Sequence, residues 1–155
     1  LTMSGLATRR FCFEAFLPSE KKEKQWILDE LKNESRTIII YEAPHRLVRT
    51  LEELKETLGN RRLTICRELT KKYEEAFEEA LARYEVEEPK GECVLVIEGK
   101  SIAQKKEELA KSWEEMTLEE HMEMYESQGI DHKEAMRRVA KDRGISKRDV
   151  YQQLL

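Results

Sequence analysis

The chain has 155 residues, with 28 Lys/Arg against 32 Asp/Glu, a net charge of −4 and a charged fraction of 39%. That fraction stands well above the roughly 25% of ordinary globular chains and favours charge-laced helices over an all-β domain. No apolar run approaches the ~20 residues that span a bilayer, and no signal-peptide pattern opens the chain, so the reading is a protein without membrane contact. Cys12, Cys66 and Cys93 lie far apart inside apolar runs. A disulfide framework or a zinc site wants close, paired spacings, so they read as small buried hydrophobes in the reducing cytoplasm. A first residue of Leu1 rather than Met reads as a truncated or excised piece.

Residues 11–17 are aromatic-rich and read as a first strand, ended by Pro18, with Ser19 placed to cap a helix carrying Trp26, Ile27 and Leu31. Residues 37–41 hold Ile38, Ile39 and Ile40 in a row, the pattern of a strand covered on both faces. Pro44 suits the first position of a helix, and Leu47, Leu51, Leu54 and Leu58 form one stripe along it, stopped by Gly59. Residues 63–66 read as a third strand. Phe77, Ala80, Leu81 and Tyr84 form a third helical stripe, and residues 93–97 a fourth buried strand. The alternation predicts an α/β fold: a mixed sheet of four to five strands with helices packed on it, strand direction left open.

Residues 104–115 read as a charged helical connector. Beyond it come three short helices: Thr117 with Glu120 forms a capping box, Asp131 with Glu134 has similar spacing, and Ser146 caps the last. Gly129-Ile130-Asp131 and Gly144-Ile145-Ser146 repeat one turn pattern. Leu118, Met122, Tyr125, Ala135, Met136, Val139, Val150, Tyr151 and Leu154 are spaced to share a small core. This resembles a helix-turn-helix unit, read either as an RNA or DNA binder or as a purely structural or dimer-forming cap. The expected organisation is an α/β domain over 1–100, a connector over 101–116 and a helical unit over 117–155. From His132 to Asp149 seven basic residues face three acidic ones, so a +4 segment sits on a remainder of −8. An acidic body with a basic tail fits a polyanionic partner touched at one end.

Glycine-rich dinucleotide and phosphate loops, HExxH and close Cys/His sets are absent from the sequence, and no metal site is expected. His121 and His132 fall among polar neighbours in the tail and read as solvated. The polar residues concentrate just past strands, where open α/β sheets gather ligands and helix N-termini favour anions. Glu42, Arg46, Arg67, Glu68 and Lys71 could line one cleft there; ordinary end-of-strand charge is the competing reading.

The wording of these segments goes further. Ser4-Gly5-Leu6, Arg10-Phe11-Cys12-Phe13-Glu14-Ala15-Phe16-Leu17-Pro18, the run from Arg36 through Glu42-Ala43-Pro44-His45-Arg46, Arg67-Glu68-Leu69-Thr70-Lys71, Lys90-Gly91-Glu92 and Val94-Leu95-Val96-Ile97-Glu98-Gly99 occur in this order. Together they resemble the ribosomal RNA small subunit methyltransferase I family, a branch of the tetrapyrrole (corrin/porphyrin) methylase class. The resemblance covers almost the whole chain.

It implies S-adenosylmethionine (SAM)-dependent 2′-O-methylation of a cytidine in small-subunit (16S) rRNA. It also implies a two-domain, usually dimeric enzyme with SAM held between domains, of which this chain supplies the C-terminal half and lacks the N-terminal one. By position Ser4, Gly5, Leu6, Tyr41, Glu42, Arg67, Glu68, Leu69, Gly91 and Glu92 would face SAM. Arg9, Arg10, Arg46, Lys71, Arg138, Lys141 and Arg148 suit RNA phosphate. Glu42, Glu68 and Lys71 are candidates, by location, for removing the hydroxyl proton. Ala7 and Arg9 replace a Pro and an Asp common in the family's first loop, and Ala15 stands where Gly is common, a change expected to alter packing alone. Two other readings compete: a corrin or porphyrin methylase, which needs no basic tail, and a non-enzymatic helix-turn-helix regulator, which needs no particular residues at the strand ends.

Overall fold

The structure, a computed structural model, describes residues 1–67 and 71–155, with residues 71–73 described by their backbone alone. It divides into two compact units, residues 1–101 and 102–155.

In the first unit five strands, β1 (Phe11–Phe16), β2 (Thr37–Glu42), β3 (Arg62–Arg67), β4 (Lys71–Ala76) and β5 (Cys93–Ile97), form one mixed sheet in the order β1-β2-β5-β3-β4. β1 and β2 run parallel and every other pairing is antiparallel. Helices α1 (Lys21–Leu31), α2 (Pro44–Leu58) and α3 (Phe77–Tyr84) share a single core with the sheet. Cys12, Ile38, Ile40, Leu63, Ile65, Cys93, Leu95 and Ile97 point into that core from the strands, and the Leu47/Leu51/Leu54/Leu58 stripe meets them from α2.

Among the described residues of this unit, none of α1–α3 packs on the other face. Its centre is covered by the chain's own first residues: Thr64 Oγ1 donates to Ser4 O (3.1 Å) and Thr37 Oγ1 to Ala7 O (2.7 Å). Ile39 and Val96 lie buried on that side, which is why β2 reads as covered on both faces. Towards β1 the face stays open.

Three features depart from the sequence reading. The cap of α1 is Glu20, whose carboxylate accepts from Glu23 N (2.7 Å), and not Ser19; Trp26 then faces outward. β4 was not expected, because Lys-Lys-Tyr-Glu-Glu-Ala shows no apolar alternation. It is an edge strand, and edges carry charge to discourage further pairing. The register of β1 slips between Phe13 and Ala15, a bulge at which Ala15 adopts φ 51°, in the left-handed region. The effect of Ala15 is thus on the backbone, in a conformation that glycine adopts without cost, and not on packing alone as expected.

The second unit comprises α4 (Ile102–Glu115), α5 (Leu118–Glu126), α6 (His132–Arg143) and α7 (Lys147–Leu154). Thr117, Asp131 and Ser146 cap α5, α6 and α7 through their side chains as their spacing predicts. Gly129 (φ 81°) and Gly144 (φ 65°) form the repeated stops. Leu118, Met122, Ala135, Val139, Ala140 and Val150 make the core, with Tyr125, Met136 and Leu154 packed against it; Tyr151, expected inside, is exposed. α4 is more than a connector: Trp113 stacks on His121 of α5 (5.5 Å, 17°). His121, expected in solvent, is fully buried. No helix among the described residues is long and apolar enough to cross a membrane.

Candidate functional site

Strand direction gathers the motif-bearing segments at one end of the sheet. Parallel β1 and β2 both finish there, β5 begins there, and β3, antiparallel to β5, finishes there; the register sets Glu42 beside Cys93 and Cys93 beside Arg67. Tyr41, Glu42, Arg67, Gly91 and Glu92 therefore share one rim. Glu68, Leu69 and the side chain of Lys71 lie outside the described residues.

Successive strand residues point to opposite faces, so Tyr41 and Glu42 cannot serve one pocket. Tyr41 lies on the open face. There it lines a hollow of about 400 Å³ with Met3, Phe16, Cys66, Val94 and the exposed Glu92. Glu42 turns under α2 and is only 3% exposed. Its Oε1 accepts from Ala43 N (2.8 Å) and its Oε2 from Thr50 Oγ1 (2.6 Å), while Arg46 Nε stands 3.3 Å from Oε1. A carboxylate so engaged fixes the start of α2 and aims Arg46, whose side chain remains 43% exposed. The cleft expected from sequence is thus two sites back to back: an apolar hollow with one carboxylate on the open face, and a guanidinium on the helix face.

Arg67 sits against Tyr84 and Cys93. Burial pushes the Tyr84 phenol and the Cys93 thiol up, and the Arg67 guanidinium opposes both shifts. Ser4, Gly5 and Leu6 line a second hollow, of about 360 Å³, with Glu74 and Glu79. Ser4 is buried and holds the turn: its Oγ donates to Leu1 O (2.6 Å) and accepts from Leu6 N (3.1 Å). Arg9 and Arg10 are exposed just before β1. Among the described residues no group of three or more His, Cys, Asp or Glu is placed to hold a metal.

In the helical unit Arg137 and Arg138 both bond to Glu134, and the Arg138 guanidinium lies 5.7 Å from the Tyr125 ring centroid. Lys141, Lys147 and Arg148 are exposed. Arg143, counted with the basic tail, is consumed internally: it donates to Met116 O (2.7 Å), Thr117 O (3.0 Å) and His121 Nδ1 (3.1 Å). His121 Nε2 then faces Asp142 Oδ2 at 3.4 Å, an oxygen that also accepts from Tyr125 Oη (2.5 Å). The signal for His121 was legible: it falls between Leu118 and Tyr125, at i+3 and i+4 spacing on their stripe.

No family model matches the chain. Individual relatives do. The chain is 44% identical over 155 residues, 97% of its length, to a protein of Halalkalibacterium halodurans named ribosomal RNA small subunit methyltransferase I. It is 43% identical over the same share to the Bacillus subtilis protein of that name, and 38% identical over 104 residues to that of Thermotoga maritima. It spans 53% of the first two relatives and 46% of the third, about half the length of the proteins it matches.

Proposed function

We propose that this chain, a partial-length member of the ribosomal RNA small subunit methyltransferase I family, is the C-terminal half of a SAM-dependent enzyme that methylates a cytidine 2′-hydroxyl of small-subunit rRNA. The observation that carries this reading is the convergence of Tyr41, Glu92, Arg67 and the Glu42–Arg46 pair on one sheet rim, within a chain homologous to rRNA methyltransferases over 97% of its length. The hollow suits the cofactor. Tyr41, Met3 and Val94 offer apolar walls, and the Glu92 carboxylate is free to accept from ribose hydroxyls, as acidic residues do at α/β nucleotide sites.

Bound SAM supplies an electrophilic methyl group on a sulfonium. The chain's own residues bind and orient. Arg46, held by Glu42, offers a guanidinium to an RNA phosphate. Glu42 itself is a positioning residue: both its oxygens are occupied inside the fold, so proton removal falls to Glu68, Lys71 or a group of the other half. Orientation accounts for much of the rate in such a transfer, because aligned reactants avoid the entropy of a bimolecular encounter. In this reading the partners are the N-terminal half of the same protein, the small-subunit rRNA and a second copy in a homodimer, and the setting is cytoplasmic.

The test is methylation of 30S subunits by the full-length protein with methyl-labelled SAM. The expected product is label in rRNA dinucleotides that survive alkali, as a blocked 2′-hydroxyl requires. Arg46→Ala should lower kcat/KM by about tenfold or more, the loss of one charge-assisted phosphate contact. Alkali-labile label refutes ribose methylation, and unchanged kinetics in the variant remove Arg46 from the site.

A further inference from the structure

The open face of the sheet carries a surface that runs beyond the cofactor hollow along β1 and shares only Phe16 and Tyr41 with it. Phe11, Phe13, Phe16 and Tyr41 are 47, 54, 44 and 38% exposed, side by side on β1 and β2. Tyr41 meets Phe13 edge-on at 5.1 Å and 74°, and Phe16 at 5.8 Å and 70°. The bulge in β1 makes this possible. Regular alternation would send Phe16 to the face opposite Phe13, but the slipped register pairs Ala15 with Ile40 and Phe16 with Tyr41, restoring Phe16 to the open side.

The composition of the patch points to its ligand. Its exposed side chains are rings, whereas the aliphatic Ile39 beneath them is buried. Two guanidinium groups, Arg9 and Arg10, stand exposed at its start and form no ion pair among the described residues. Glu14 lies at the bulge and Glu92 at the far side of the hollow, so a polyanion is favoured at the Arg9–Arg10 end alone. Rings on a sheet face beside cationic forks are the chemistry of unpaired bases: every base offers a π-face for stacking, and sheets with exposed aromatics read single-stranded RNA this way.

We propose that Phe11, Phe13, Phe16 and Tyr41, flanked by Arg9 and Arg10, form a stacking platform for unpaired bases of an RNA strand. The strand's phosphates lie at the arginines and its bases over the rings. The proposal rests on the rRNA reading above and adds to it where, and in what form, the chain grips RNA: as a locally single-stranded segment.

The test measures binding of the 155-residue chain to a fluorescein-labelled oligocytidine and to an abasic ribose-phosphate strand of equal length. The wild-type chain should prefer the strand with bases. Phe13→Leu, which keeps an apolar side chain but removes the ring, and Phe11→Ala should each weaken oligocytidine binding by about tenfold, the loss of one stacked base, without changing abasic binding. Phe13→Trp should retain affinity. Both positions are exposed, and circular dichroism checks that each variant folds. Equal affinity of Phe13→Leu and wild type for oligocytidine overturns the platform while leaving the rRNA reading standing. No binding of either strand by the wild-type chain overturns the platform and counts against that reading in this half. Sedimentation showing wild-type dimers that Phe13→Leu dissociates, with base preference unchanged, assigns the face to a second copy instead.

Discussion

Ala15 is an ordinary residue in a conformation that L side chains occupy at a cost of roughly 1–2 kcal/mol, because Cβ crowds its own carbonyl. Ala15→Gly relieves that crowding but adds freedom to the unfolded chain, so a net stabilisation of about 1 kcal/mol is expected, read as a higher urea midpoint at unchanged slope. His121 makes the opposite point, a polar residue that its polar neighbours in sequence assign to water and the fold buries completely. Burial holds its pKa below the ordinary 6.5, the Arg143 charge adds to this, and Asp142 works against both. The folded state therefore prefers the neutral ring. Above about pH 6.5 its contribution to stability is fully present; as pH falls the unfolded chain takes up the proton first, and stability declines towards the lower folded pKa. In a Trp26→Phe background, where Trp113 alone reports, thermal unfolding should shift down between pH 7.5 and 5.5. His121→Phe, which can still stack on Trp113 and Tyr125, should lose that shift. An equal response in both proteins would show that His121 is not its source.

At the scale of elements, what the sequence conveyed depended on where each strand sits in the sheet. β2 and β5 are interior and uniformly apolar, and the stripe of α2 is regular, so all three were legible at once. β4 escaped notice because an edge strand is written in charges, and Glu20 displaced Ser19 as a cap because a carboxylate can close the first turn as well as a hydroxyl. The close seam between the start of β2 and the end of β5 has no sequence signature except Gly99. A Cβ there would stand 2.3 Å from Ser35 O and 2.5 Å from Arg36 O. Lys100 N donates to Glu34 O (2.7 Å) and Lys100 Nζ to Asn33 Oδ1 (3.1 Å) across the same seam. Nearby, the buried Arg61 donates to Leu58 O (3.0 Å) and Lys32 O (2.9 Å). Two backbones must part to admit a methyl group, so Gly99→Ala should cost about 2–4 kcal/mol in chemical denaturation. A cost under half a kcal/mol would mean that the seam is not tight.

For the whole molecule the site was legible in its segments and not in its geometry. Family wording named Tyr41 and Glu42 together, but strand alternation separates them by the thickness of the sheet, and a string of letters does not show which side each takes. The tail's formal charge likewise overstates its available cations, since Arg143 is bound within the helices and Glu134 pairs with Arg137 and Arg138. Lys133 remains exposed at the start of α6, and beyond it a group of three, Lys141, Lys147 and Arg148, is exposed at the end of α6 and the start of α7. Replacing these three with alanine in the full-length protein should lower 30S affinity at low salt and flatten its log–log salt dependence by about three units at most, since each phosphate contact releases somewhat less than one counterion. An unchanged slope would make the tail charge irrelevant to RNA. The bulge in β1 has one more consequence. Phe11, Phe13 and Phe16 lie on an outermost strand, the arrangement most prone to recruit strands from other molecules. An extra residue between Phe13 and Ala15 breaks the even spacing of the free amides along that margin, so a foreign strand cannot zip past the midpoint. The kink that lines the rings up for a ligand also protects the chain against growing into fibrils.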